Sequence, residues 1–468
     1  MIGGRIKVVP RATPVLVLNV FENEGGSFFM KKLWQKQWKL NEVIEAFETQ
    51  GDLVLDQKLV PADVYGSIAH AAGLAKIGIL SQKEFDIAKK GLIEILSLAK
   101  IGKFIPESGD EDVHTKIENY LTEHYGEVGK KIHTGRSRND QVLVAIRLFT
   151  KEQLLTIWGN LLALADAFIA FGNTYETTIL PGYTHMQKAM PMSLGMWAGA
   201  FAQNLLDDLM LLKTAYTLND QSPLGSAAGF GVPLSLPREY TAKLLGFDAV
   251  QENPLACQNS RGKIEAGVVG ALVAIYQDIS KFASDVLLFT TSEFDYFDVS
   301  SELCTGSSIM PQKKNVDIAE LLRSKVHLFL GYYVQLVSVS SNLISGYNRD
   351  LQDSKKPLFE SLDIAKSGLE VATLLVKSIK SNKEAIEKAV TPEIFATHHA
   401  LELVKKGMSF REAYDTVGKN LSSLSKLAHI DGLGNTGLPA LEVKVKKETA
   451  LYEQENKKFH TILQTLID

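Results

Sequence analysis

Apolar side chains recur through the middle of the chain at the spacing of helices that bury one stripe. Leu154, Trp158, Leu161, Ala165 and Phe168 alternate steps of four and three residues, and so do Val268, Leu272, Ile275, Ile279, Phe282, Val286 and Phe289. Such a heptad seam predicts two long helices. Leu194, Ala198, Phe201, Leu205, Leu209, Leu212 and Tyr216 advance by a slightly longer mean step that still keeps one face apolar, which predicts a third. Proline leaves room for them, because inside a helix it removes a hydrogen bond and clashes with the preceding turn. None stands between Pro106 and Pro181, between Pro254 and Pro311, or between Pro311 and Pro357. Long amphipathic helices that each need partners predict an all-α fold built on a helical bundle. The stripes are core positions and carry no chemistry.

Turn residues gather between the predicted helices, at Leu180-Pro181-Gly182, from Ser222-Pro223 to Pro237, and from Thr305 to Pro311, so loops are expected there. Strand patterns are few. A smaller unit is expected from Thr391 onward, with Phe410 to Ala413 on a short helix and a loop through Gly432, Gly434 and Gly437. Residues 1–29 read differently: Arg5, Lys7 and Arg11 precede an apolar stretch, Val15 to Phe21, in the order of a signal peptide. That stretch is at the short limit and no small-residue cleavage site follows. A disordered extension, or an over-long start with Met30 as the initiation point, is the expectation.

The 468 residues suffice for two to four domains at about 100–200 residues each. With 50 basic and 54 acidic residues the net charge is −4, which gives a polyanion no general attraction and argues against a nucleic-acid-binding scaffold. Apolar residues at 45% and charged residues at 22% are those of a folded globular protein. Two cysteines, Cys257 and Cys304, make neither a disulfide framework nor a metal motif, and fit a reducing cytoplasm. The longest apolar run, Ala266 to Tyr276, is too short to span a bilayer, so no transmembrane segment is expected.

Nucleotide loops and metal-binding helix motifs are missing, and the adjacent His398 and His399 point to opposite sides of any regular element, so neither a metal nor a nucleotide cofactor is expected. Three polar clusters remain, each at the end of a predicted long helix. His133-Thr134-Gly135-Arg136-Ser137-Arg138-Asn139-Asp140 places two arginines and an amide before a helix, where guanidinium forks and backbone donors bind carboxylates. The same run also reads as an ordinary helix start with Ser137 or Asn139 as its cap. Gly182-Tyr183-Thr184-His185-Met186-Gln187 sets a histidine among hydrogen-bonding side chains, as a proton carrier or as a packing residue. Gly306-Ser307-Ser308-Ile309-Met310-Pro311-Gln312-Lys313-Lys314-Asn315 is either a solvated linker or a loop in which cations and backbone donors stabilise a serine alkoxide. Together the clusters suit elimination beside a carboxylate, where the doubly charged aci-carboxylate must be stabilised before the protonated leaving group departs.

These residues carry a resemblance. From about Met30 to the C-terminus the chain resembles the fumarase/aspartase superfamily, through Gly306-Ser-Ser-Ile-Met-Pro311, and within it the argininosuccinate lyase family, through His133 to Gln141, Gln312-Lys313-Lys314-Asn315, and Tyr347-Asn348-Arg349-Asp350-Leu351-Gln352-Asp353-Ser354-Lys355. The resemblance implies reversible cleavage of argininosuccinate to arginine and fumarate, the last step of arginine synthesis, with no cofactor. It implies that His185 and Ser307 are the proton-transfer pair, with Ser307 preferred as base and His185 as acid, and that Glu320 orients and charges His185. It implies that Arg138, Asn139, Thr184, Lys313, Asn315, Tyr347, Gln352 and Lys355 hold the substrate. The implied fold has three mostly helical domains, here residues 30–136, 137–390 and 391–468 after the extension 1–29. Its central bundle assembles into a homotetramer core of about 20 helices, with active sites shared between subunits.

The chain departs from the family pattern in places. Leu33-Trp34-Gln35-Lys36-Gln37-Trp38 replaces the usual opening, Asp52 stands for a substrate-contacting serine, Val316 follows Asn315 where proline is usual, and Gln251 to Arg261 fits poorly. Two rivals remain: another fumarate-releasing lyase of the superfamily, acting on adenylosuccinate or aspartate, and a non-catalytic structural homologue.

Overall fold

A computed structural model of the chain describes residues 41–49, 51–106, 110–427 and 435–468. The N-terminal extension, Met30, the Leu33 to Trp38 opening and two of the expected loop glycines, Gly432 and Gly434, lie outside the described residues. The first helices are α1 (Glu42–Thr49), α2 (Asp52–Asp56), α3 (Val60–Lys76), α4 (Gln82–Lys100), α5 (Val113–Tyr125) and α6 (Glu127–Lys131). The bundle follows. Helix α7 (Arg138–Thr174) leads through a hairpin, β1 (Ile179–Thr184) and β2 (Gln187–Ser193), into α8 (Leu194–Asn219). A connection holding β3 (Gln221–Ser222), α9 (Arg238–Leu244), β4 (Ala249–Val250) and α10 (Pro254–Asn259) reaches α11 (Lys263–Phe289). After β5 (Phe297–Asp298) come α12 (Asp317–Ser340), α13 (Lys355–Ser378), β6 (Lys380–Ser381), α14 (Lys383–Ala389), α15 (Ala396–Lys405), α16 (Phe410–Lys419) and α17 (Leu438–Ile467).

The all-α expectation holds, since among the described residues the strands form only two-stranded pairs. Every residue of the three apolar stripes is buried, on α7, α8 and α11. By composition α7 and α11 are long and apolar enough to cross a membrane, but 67% and 56% of the relevant windows is buried inside the protein, as in the core helices of a soluble bundle. Helices α12 and α13 complete the bundle without having been read from the sequence. The buried stripe of α12, Ala319, Leu322, Val326, Phe329 and Leu336, is interleaved with exposed Leu321, Leu328, Leu330, Val334 and Val337, which hides its period. The loop expected at Leu180-Pro181-Gly182 is instead part of β1, with Pro181 opposite Pro191 and the register shifting before Tyr183.

The helices alternate in direction. Asn219 at the end of α8 donates to Arg147 O near the start of α7 (2.9 Å), and Leu194 N, at the start of α8, donates to Thr178 O just beyond the end of α7 (3.0 Å). Trp197 Nε1 donates to Asp285 on α11 (2.9 Å), and Ser280 on α11 donates to Arg323 O on α12 (3.1 Å). Helix α13 runs parallel to α7, with Phe149 against Phe359 and Asn160 donating to Lys366 O. Thus one end of the bundle collects the starts of α7, α11 and α13, and the other the starts of α8 and α12. Helix α17 lies along α7 and α8, where Tyr216 donates to Glu455 (2.8 Å) and the buried Lys151 ammonium donates to Asp220 (2.6 Å) and Gly246 O (2.6 Å).

Candidate active site

At the first end, the polar run ahead of α7 divides its labour. Ser137 caps the helix in a capping box with Asp140, whose other carboxylate oxygen accepts from Gly225 N (3.0 Å) and Ala227 N (2.9 Å). Arg136 is buried and donates to Ser67 (2.9 Å). These three residues build the loop, so the helix-start reading of the motif is correct for them. Arg138 pairs with Asp112 and donates to Thr115 (2.8 Å). The Asn139 side-chain amide has no hydrogen-bond partner among the described residues and is half-buried, which leaves it free to meet a ligand.

Behind this run, Asp63 accepts from His114 (2.6 Å) and Gln141 (3.0 Å). Burial works against the His114 charge, but the Asp63 carboxylate prevails and raises its pKa. The opposite holds for two neighbours: burial, then Arg136, pushes His70 down to about 3, and burial with Arg136 and Arg138 pushes His133 to about 4. An unfolded histidine takes its proton near pH 6.5, whereas these take theirs only near 3 to 4, so stability is lost as pH falls from 6.5 toward 4, by up to about 1.4 kcal/mol per pH unit for each group. Thermal melts at pH 7 and pH 4.5 should therefore show a smaller acid-induced loss for His70→Gln than for the wild type. An equal loss would contradict the assignment.

The same end holds Tyr347, Gln352 and Lys355. Gln352 Nε2 donates to Glu48 O (2.8 Å). The Lys355 ammonium, almost fully buried, lies between Asp52 (2.7 Å) and Asp56 (2.8 Å). Tyr347 supplies its ring to Arg261, whose guanidinium carbon is 4.6 Å from the ring centroid. Sequence reasoning missed Arg261. It is 4% exposed, makes no ion pair among the described residues, and faces a cavity of about 210 Å³ lined also by Gln258, Asn259, Ser340 and Leu351. The signal was available: Arg261 and Lys263 stand at the start of α11, where the helix dipole disfavours cations, so a positive charge there needs a reason other than the helix.

At the second end, Thr184, His185 and Met186 form the tip of the β1–β2 hairpin. Thr184 pairs with Gln187, so His185 and Met186 are a two-residue turn, and both have positive φ, 53° and 59°. That is the geometry of the turns matching strand twist, but residues other than glycine or asparagine pay roughly 1 kcal/mol or more each to adopt it. The exposed imidazole is thus held out by a strained tip. Its base is fixed by the Tyr183 and Tyr296 hydroxyls (2.8 Å) and by Lys188 donating to Ala389 O (2.7 Å).

The loop from Thr305 to Asn315 is closed at its neck by paired backbone bonds between those two residues (3.0 and 2.8 Å). Asn315 turns its side chain inward, donating to Gly306 O (3.4 Å), and Lys314 is tied to Asp298 (2.8 Å). Lys313 projects from the loop exposed. Ser307 Oγ accepts from the backbone N–H groups of Ile309 (3.4 Å) and Met310 (3.1 Å). Two donors aimed at one hydroxyl oxygen are what an alkoxide requires. Val316 is buried and precedes α12 as its N-cap residue, and Glu320 lies exposed in the first turn of that helix. Among the described residues no hydrogen bond or ion pair joins Glu320 to His185 within the subunit.

The structure therefore gathers Arg138, Asn139, Tyr347, Gln352 and Lys355 at one end of the bundle and Thr184, His185, Ser307, Lys313, Asn315 and Glu320 at the other. Helix α12 alone separates the two ends by about 35 Å at ~1.5 Å per residue.

Residues 36–331 match the family model described as Lyase. The argininosuccinate lyase of Thermotoga neapolitana is 44% identical over 389 residues, covering 83% of this chain and 98% of that protein. The argininosuccinate lyase of Phocaeicola vulgatus is 41% identical over 399 residues, covering 85% and 89%. Among solved structures, EDDS lyase in complex with formate superposes with a TM-score of 0.77 at 22% identity over 90% of this chain and 94% of that one. The class II fumarase of Schistosoma mansoni gives 0.68 at 18% identity over 81% and 91%. At such identities the likeness speaks for the fold alone.

Proposed function

The chain belongs to the argininosuccinate lyases, carbon–nitrogen lyases on a helical-bundle fold, and from that premise we propose how its residues carry the reaction. Ser307 takes a proton from the carbon beside the carboxylate of the succinate portion, leaving an aci-carboxylate whose second negative charge falls to Lys313 and Thr184. The carbon–nitrogen bond then breaks, the carbon–carbon double bond of fumarate forms, and His185 delivers a proton to the departing guanidino nitrogen of arginine, with Glu320 orienting the imidazole. Arg138, Asn139, Tyr347 and Gln352 position the substrate. The observation that carries this reading is the Ser307 turn, because its two backbone N–H donors favour the alkoxide at no reorganisation cost.

A site that needs both bundle ends cannot be built within one subunit when those ends are tens of ångströms apart. Antiparallel association of copies, start of one bundle against end of another, would bring them together, and this supports a homotetramer with shared sites. The outer face of α12, where Leu321, Leu328, Leu330, Val334 and Val337 are exposed in the single chain, is the surface such an assembly would cover. The thiols of buried Cys257 and half-buried Cys304 support a reducing, cytoplasmic setting.

The direct test follows the ultraviolet absorbance of fumarate when purified protein meets argininosuccinate, with adenylosuccinate and aspartate in parallel. Turnover of argininosuccinate alone is expected. Activity confined to either rival would overturn the substrate assignment.

A further inference from the structure

Two lysines stand side by side in the loop that carries Ser307, and the structure uses them differently. Lys313 is exposed and makes no ion pair among the described residues. The Lys314 ammonium is tied down, donating to the Asp298 carboxylate (2.8 Å) and to Val299 O. Both acceptors belong to a fixed part of the fold. Phe297 and Asp298 form β5, paired with Ser381 and Lys380 of β6, and Phe297 and Val299 are each 2% exposed. The Phe297 ring meets Phe171 of α7, Trp197 of α8 and Phe289 of α11 edge-on, with centroids 5.3 to 6.2 Å apart. Lys314 therefore fastens the loop to the aromatic core of the bundle.

The loop has few other anchors. Its neck is closed by the backbone bonds between Thr305 and Asn315, beside which the Thr305 hydroxyl bonds to Asp317. Beyond the neck, no side chain from Ser308 to Lys313 makes a hydrogen bond or ion pair outside the loop among the described residues. The two amides that serve Ser307 lie within the loop as well. A turn held only at its neck can swing as a body while every internal bond stays intact, and a proton carrier displaced by about 1 Å loses much of its rate. A second fixed point removes that freedom. Lysine suits the task, since one ammonium on a long stem has donors enough for a carboxylate and a carbonyl together.

We propose that Lys314 is a positioning residue for Ser307, its clasp on the edge of β5 holding the loop in the pose from which the serine acts, with Lys313 carried along. This rests on the lyase reading above and deepens it.

The test uses Lys314→Met, Asp298→Ala, the double variant and Lys314→Arg in the whole protein. The Lys314 and Asp298 side chains are 40% and 68% exposed, so melting temperature and size in solution should not change. The kcat/KM on argininosuccinate should fall about 10-fold in Lys314→Met, which loses both bonds, and about threefold in Asp298→Ala, which loses only the ion pair. The double variant should be no slower than Lys314→Met, and Lys314→Arg, which keeps a cation able to donate, should stay within about threefold of wild type. Amide exchange in Lys314→Met should quicken several-fold across residues 306–313 and nowhere else. A Lys314→Met enzyme within twofold of wild type, losses that multiply in the double variant, or a loss in Lys314→Arg equal to that in Lys314→Met would each overturn the proposal. The two readings fail separately, because exchange needs no turnover. A protein whose loop loosens in Lys314→Met but that does not cleave argininosuccinate refutes the lyase reading, and one that cleaves it with exchange unchanged in Lys314→Met refutes this inference.

Discussion

Replacing Ser307 with alanine is expected to lower kcat on argininosuccinate by about 10²- to 10⁴-fold, the contribution of a positioned proton carrier, with little change in KM. The side chain is half-buried on an exposed loop, and among the described residues its hydroxyl bonds only to the local amides of Ile309 and Met310. The fold and any assembly should therefore survive, as light scattering and thermal melting can show. Ser307→Cys is the sharper companion. A thiolate is larger and the amide donors suit it poorly, so partial activity with an altered pH profile is expected if Ser307 is the base. A Ser307→Ala enzyme within tenfold of wild type would show that the proton leaves by another group, with His185 the first to consider.

The second large effect is a recovery. His185→Asn removes a proton carrier at one bundle end, and Asn139→Ala removes a free amide at the other, at a cost of about 10- to 100-fold if that amide meets a substrate carboxylate. His185→Asn alone should be nearly inactive, and Asn139→Ala alone should keep no more than about a tenth of the wild-type rate. Co-expressed, they should assemble hybrids in which some sites draw Asn139 from the His185→Asn chain and His185 from the Asn139→Ala chain. Random assortment makes about a quarter of the sites intact, so activity should climb to about a quarter of the wild-type value, above that of either parent. A site complete within one chain gives no such recovery, because every chain in the mixture carries a defect. A mixture no more active than the mean of its parents would refute shared sites.

How far the sequence could be read varies from place to place. The stripes on α7, α8 and α11 were legible because each has one buried face against polar neighbours. Helix α12 was not, because it shows apolar residues on the core side and on the outside, and periodicity cannot separate two apolar faces. The sequence Leu180-Pro181-Gly182 reads as a loop yet forms a strand, because Pro181 and Pro191 pair with each other on a two-stranded ladder, where little is lost by the missing donors. In the run ahead of α7 the motif could not say which members build the loop and which stay free. Ser137, Arg136 and Asp140 are spent on a cap and on partners from distant segments, Ser67, Gly225 and Ala227.

By itself the sequence determined the helical class, the three principal stripes and the clusters where chemistry is concentrated, since each is a local pattern of side chains along one element. Tertiary structure alone decided what those clusters can do. The rise of a helix puts His185 and Ser307 tens of ångströms from Asn139 and Tyr347, a separation no motif records. Residues distant along the chain, Asp52 and Asp56, surround Lys355 and reverse the sign of the charge it offers. Charge and distance are properties of what surrounds a residue, and only the folded chain supplies the surroundings.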